Sequence, residues 1–73
     1  MDEKLYSTQE LSKQIDRVYR ALGSEYAKIL RLKYEEEMSV KEIARKLKMS
    51  IKAVESKLFR ARRAFQLTYE QEL

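Results

Sequence analysis

Six side chains near the end of this chain, Lys52, Glu55, Ser56, Phe59, Arg60 and Arg63, fall on one face when helical spacing is applied. Together they suit recognition of a nucleic acid. A serine hydroxyl such as Ser56 can bond several bases, and Lys52 can reach a guanine edge or a phosphate. Glu55 has two readings: it accepts from a cytosine amino group, or it pairs with Lys52 or Arg60. Phe59 is displaced from the apolar series Val54, Leu58, Ala61 and Phe65, so an ordinary core role does not fit it. It either meets thymine methyls and sugar carbons, or is partly buried against the first helix or the chain's end. Lys57, Arg60, Arg62 and Arg63 are spaced to contact phosphates on either side of a groove.

Reaction chemistry has little to work with. The chain holds no Cys and no His, which removes thiolates, disulfides and the commonest metal ligand and general base. No Gly-rich phosphate loop and no carboxylate pair in an evident pocket stands out. An enzyme, a cofactor and a metal are therefore not expected.

Charge supports the nucleic-acid reading through its distribution. The 73 residues carry sixteen Lys/Arg against twelve Asp/Glu, a net charge of +4. Nine of those cations, against two Glu, lie in residues 41–65. Clustering of this kind attracts a phosphate backbone, although a solvated basic helix has the same composition.

The elements that must position these residues are helical. Pro is absent, Gly occurs once, and Lys, Arg, Glu, Leu and Ala are abundant. The length allows one small domain, residues 1–73, burying roughly 60% of its unfolded surface. Leu11, Ile15, Val18, Tyr19 and Leu22 form an apolar stripe, predicting a first helix over about 8–22. Ser7 and Glu10 fit a capping box at its start, and Gly23 fits a left-handed cap at its end. Ser24 can cap a second helix, about 24–35, with Tyr26, Ala27, Ile29, Leu30 and Tyr34 on its apolar face. The acidic run Glu35-Glu36-Glu37 opposes the negative end of that helix and argues for a stop. Ser39 and Glu42 form a second capping box opening a short helix, about 39–47, with Ile43, Ala44 and Leu47 inward. Ser50 caps a fourth helix, about 50–66 and fraying on to about 70. The fold class is all-α: a four-helix domain with a C-terminal helix-turn-helix.

Two short helices joined by a tight turn, the second of them basic, make a helix-turn-helix. Ala44 lets the two helices approach, and Leu47, Met49, Val54 and Leu58 fill the angle between them. A major groove about 12 Å wide admits the second helix by its N-terminal residues. Ser39 and Lys41 can meet a phosphate through N–H groups, hydroxyl and dipole, though capping alone also explains Ser39. Ser50, at the start of the reading helix, belongs to the same set of DNA-binding positions. That set is Ser39, Lys41, Ser50, Lys52, Glu55, Ser56, Lys57, Phe59, Arg60 and Arg63.

Leu30-Arg-Leu-Lys-Tyr34, Met38-Ser-Val-Lys-Glu-Ile-Ala44, Met49-Ser50 and Val54-Glu-Ser-Lys-Leu-Phe-Arg-Ala-Arg62 together resemble region 4 of bacterial sigma-70 family RNA polymerase sigma factors. The Ser-Lys-Leu-Phe-Arg-Ala-Arg segment is similar in particular to the extracytoplasmic-function group. The resemblance covers about residues 11–66. It implies a four-helix domain that binds double-stranded DNA at the promoter −35 element and directs transcription initiation. The implied partners are the flap of the RNA polymerase β subunit and, in some members, an anti-sigma factor. By position, Glu55, Ser56 and Phe59 match the family's base-reading residues, and Lys57 and Arg60 its backbone contacts. Glu37 and Lys48 stand where the family usually or often has Gly. Glycine relieves strain at positive φ, so a cost or an altered turn is expected at both. Nothing resembles region 2, which opens the −10 element. The chain alone is not expected to start transcription, and reads as an excised C-terminal domain or a free-standing region 4-like protein.

Two other readings stand beside this one. A LuxR-type response-regulator output domain shares the four-helix plan but usually dimerises through its last helix. A sigma-like interaction module would dock on polymerase or an anti-sigma factor without touching DNA. No apolar run approaches the ~20 residues of a membrane span, and no secretory signal is visible, so a cytoplasmic location is expected.

Overall fold

A computed structural model describes residues 8–72. Four α-helices follow in order: α1 (Thr8–Leu22), α2 (Ser24–Tyr34), α3 (Val40–Leu47) and α4 (Ile51–Glu72). Each contributes to one core. Val18 and Tyr19 come from α1, Ile29, Leu30 and Leu32 from α2, Ile43 and Ala44 from α3, and Val54, Leu58 and Ala61 from α4.

The α1 face differs in detail from its apolar stripe. Leu11 is 40% exposed, whereas Gln14 is buried to 7%. The buried face is thus rotated toward the Gln14–Val18 row. Ser7 lies outside the described residues. Leu32 is also a core residue on α2, and Tyr34, expected to be inward, is exposed.

Gly23 does not form the left-handed cap expected of it. Its φ of 94° and ψ of 158° make it the N-cap of α2, and its carbonyl accepts from Ala27 N–H at 3.1 Å. Ser24 is therefore the first helical residue and supplies no cap. A Cβ at position 23 would meet nothing within 4 Å. The requirement for Gly is torsional, because this region of backbone space is essentially closed to L side chains.

The acidic run does end α2. Glu35 N–H closes on the Arg31 carbonyl at 2.8 Å, and Met38 N–H returns to the Leu32 carbonyl at 3.0 Å. The turn between them passes through Glu37 at φ 56°. Arg31 offsets part of the negative charge at this helix end. Its guanidinium donates to both carboxylate oxygens of Glu35, at 2.9 and 2.8 Å, and reaches Asp16 at 3.4 Å. The same group lies 4.3 Å from the centroid of Tyr19, tying α2 to α1 through a cation–π contact.

The helix-turn-helix is closed by caps that the residue types called for. Ser39 Oγ accepts from Glu42 N–H at 3.1 Å, and Glu42 Oε1 accepts from Ser39 N–H at 2.8 Å. Lys48 adopts the left-handed conformation, φ 58° and ψ 48°, after which Met49 N–H bonds the Ala44 carbonyl at 2.9 Å. Ser50 Oγ then accepts from Ala53 N–H at 3.0 Å and starts α4.

α4 continues past its expected end near 66 to Glu72. Aromatic contacts support the extra turns. Phe65 stacks on Tyr69, one turn on, at 6.1 Å, and meets the edge of Tyr19 at 5.5 Å.

Two predictions concern these ends. Lys48→Gly should stabilise the domain by about 0.5–1 kcal/mol in denaturant unfolding, because the left-handed cost exceeds the added unfolded-state entropy of Gly. Glu42 is held below the ordinary glutamate range, first by the Ser39 N–H and then by the Ser39 hydroxyl. A lowered carboxylate stabilises the fold above its unfolded pKa, and loses that contribution as pH falls through the folded one. The Tm difference between wild type and Glu42→Gln should therefore be present at neutral pH. It should shrink as acid protonates Glu42; a pH-independent difference contradicts this account.

Candidate nucleic-acid interface

The reading helix is aimed by what it buries. Val54 and Ala61 are fully buried and Leu58 nearly so, in one cluster with Ile43 and Ala44 of α3 and residues of α1 and α2, and Leu47 and Met49 pack against that cluster. With that stripe inward, helical geometry sends Lys52, Glu55, Ser56, Phe59, Arg60 and Arg63 outward, and all six are exposed. Five of them, Lys52, Glu55, Ser56, Phe59 and Arg60, line one shallow depression.

Two open alternatives close here. Phe59 is 63% exposed, so it is not buried against α1 or the chain's end. Among the described residues Glu55 has no ion-pair partner, neither Lys52 nor Arg60. The surface thus offers an exposed aromatic ring and an unpaired carboxylate within a cationic frame.

The other cations divide by direction. Arg60 and Arg63 stand on the open face. Lys57 does not: its side chain is only 19% exposed, and its Nζ lies 3.4 Å from Glu25 Oε1 in the first turn of α2. Arg62 turns the other way and donates to Tyr34 Oη at 3.1 Å. There it rims an apolar cleft lined by Ile15, Tyr19, Leu30, Tyr34 and Phe65. Neither contact was legible from charge clustering. The helical wheel does carry a signal, since Lys57 follows Val54 by three residues and Arg62 follows Leu58 by four.

At the start of α3, Ser39 and Lys41 are exposed. The capping box already engages the Ser39 N–H and brings the Glu42 carboxylate to this helix end. An arriving phosphate would rely on the remaining N–H groups of the first turn and on Lys41. Ser50 is also exposed, with its oxygen engaged by Ala53 N–H.

Among the described residues there is no cluster of acidic side chains arranged to hold a metal ion. No helix among them is long and apolar enough to cross a membrane.

The family model described as Sigma-70, region 4 matches residues 12–65, well over half of the chain, from the first turns of α1 to Phe65 on α4. No curated protein and no solved structure matches the chain. Region 4 is a DNA-binding regulatory domain family and not an enzyme family. The four-helix order, the helix-turn-helix and the basic outer face of α4 all agree with that match. This chain belongs to the Sigma-70, region 4 family, the promoter-related, helix-turn-helix DNA-binding part of sigma factors.

Proposed function

We propose that this domain reads the −35 element of a promoter as part of a sigma factor, with α4 in the major groove. The observation that carries the reading is the open face of α4. There Phe59 is exposed, Glu55 has no ion-pair partner among the described residues, and Lys52, Ser56 and Arg60 share their depression. A merely solvated basic helix has no use for an exposed Phe in its middle, whereas thymine methyls and sugar carbons do. Glu55 accepts from a cytosine amino group, Ser56 bonds a neighbouring base edge, and Lys52 takes a guanine edge or phosphate. Arg60, Arg63 and Lys41 neutralise backbone phosphates, with Ser39 and Ser50 at the two helix starts that flank the groove.

The family setting supplies RNA polymerase as a partner. We assign the polymerase contact to the β-subunit flap and the apolar cleft between α1, α2 and α4, remote from the outer face of α4. An anti-sigma factor would compete for surfaces of the same kind. We take residues 1–73 as one unit acting in the cytoplasm, where promoter and polymerase meet.

A single module of this kind buries about 600–1,000 Å² on DNA, so binding without polymerase is weak. With ~4–6 phosphates neutralised, log K should fall against log salt with a slope of about −4 to −5. A titration with promoter duplex that shows a flat salt response overturns the reading. Phe59→Ala and Glu55→Ala should cost discrimination between promoter and scrambled duplex, by up to about 1–3 kcal/mol at the affected base pair. Equal losses on both duplexes would assign these side chains to the backbone instead.

A further inference from the structure

We propose that Glu25 withholds Lys57 from the DNA backbone and thereby sets the number of phosphates that α4 neutralises. The inference rests on the reading that α4 lies on DNA, and concerns which of its cations count. Lys57 differs from Arg60 and Arg63 in two respects. Its stem is packed, leaving the side chain 19% exposed, whereas Arg60 and Arg63 are open. Its ammonium is also directed to the side of α4, where Glu25 Oε1 lies at 3.4 Å.

Helical geometry explains the direction. At 3.6 residues per turn, position 57 lies roughly 60° from Val54 around α4, beside the buried stripe and not opposite it. α2 crosses α4 on that side and presents its first turn, where a carboxylate is also favoured by the helix dipole. Glu25 itself is 81% exposed, so the pair contributes little to stability. Its consequence is electrostatic: one cation of the basic segment is spent on a carboxylate of the same chain. Releasing Lys57 would let its four-carbon stem swing the ammonium toward the rim of the groove, next to Arg60.

The test is the salt dependence of binding to a promoter duplex, read for K57M, E25Q, the double variant and R60A. Each phosphate contact contributes about 0.9 to the slope. R60A should make the slope shallower by about that amount, and K57M should leave it unchanged. E25Q should steepen it by about 0.9 and bind about three- to tenfold tighter at low salt. In the K57M background that gain should vanish, because it acts through Lys57.

If K57M loses slope as R60A does, Lys57 is an ordinary phosphate contact and the inference falls while the DNA reading stands. If E25Q tightens binding equally with and without Lys57, Glu25 acts as a general repulsive charge, and the inference falls likewise. If no variant, R60A included, alters the salt response, the DNA reading fails and takes the inference with it. Position 25 is largely solvent-exposed, so E25Q keeps the test open should K57M fold poorly, as checked by far-UV circular dichroism.

Discussion

Everything that faces outward from α4 does so because Val54, Leu58 and Ala61 are locked inward. These three side chains share one buried cluster with Ile43 and Ala44 of α3, Tyr19 of α1 and Ile29, Leu30 and Leu32 of α2. Ala44 is the smallest of the α3 residues at this contact, and a larger side chain there would drive the helices apart. Truncating a buried Leu such as Leu58 costs about 2–5 kcal/mol, a large fraction of the stability of a domain this size. The outward set Lys52, Glu55, Ser56, Phe59, Arg60 and Arg63 therefore shares its orientation with the core itself.

The turns on either side of α3 each store a small conformational cost. Lys48 stands in the left-handed region and Glu37 at positive φ, both without the freedom of Gly. Residues of this kind persist there because the surroundings over-determine them. The capping box at Ser39 and Glu42 fixes one end of α3, and the Met49-to-Ala44 bond and the Ser50 cap fix the other. The helix-turn-helix is held by hydrogen bonds at its ends and by apolar packing at its centre, a division that leaves the outer face of α4 free of structural duties.

Charge is organised more finely than its clustering suggests. Arg31 is drawn onto Glu35, Asp16 and the face of Tyr19, well away from α4's outer face. Lys57 is paired with Glu25, and Arg62 is turned to Tyr34. What remains open on α4 is a narrower cationic frame, Lys52, Arg60 and Arg63, around an uncharged and acidic centre. Such a frame supplies non-specific attraction from its edges, while its middle carries groups that distinguish bases.

The helices, their order and the buried stripe of α4 can all be read along the chain. Those features follow from local spacing and from capping residues, which act within a turn or two of chain. The HTH caps at Ser39 and Ser50 can be read in the same way, where the side chain bonds its own neighbour three residues on. Three features emerge only in the folded chain: Gly23 caps α2, Gln14 is buried while Leu11 is not, and α4 runs on to Glu72. The role of Gly23 is set by its own backbone torsions, whereas the burial of Gln14 and the extension of α4 depend on what packs beside them, as Tyr19 packs on Phe65. The same holds for Lys57 and Arg62. A count of cations assigns both to the basic surface, but their partners, Glu25 and Tyr34, lie on α2. Helical spacing places both beside the buried stripe, but the partners themselves are met only once the helices have packed.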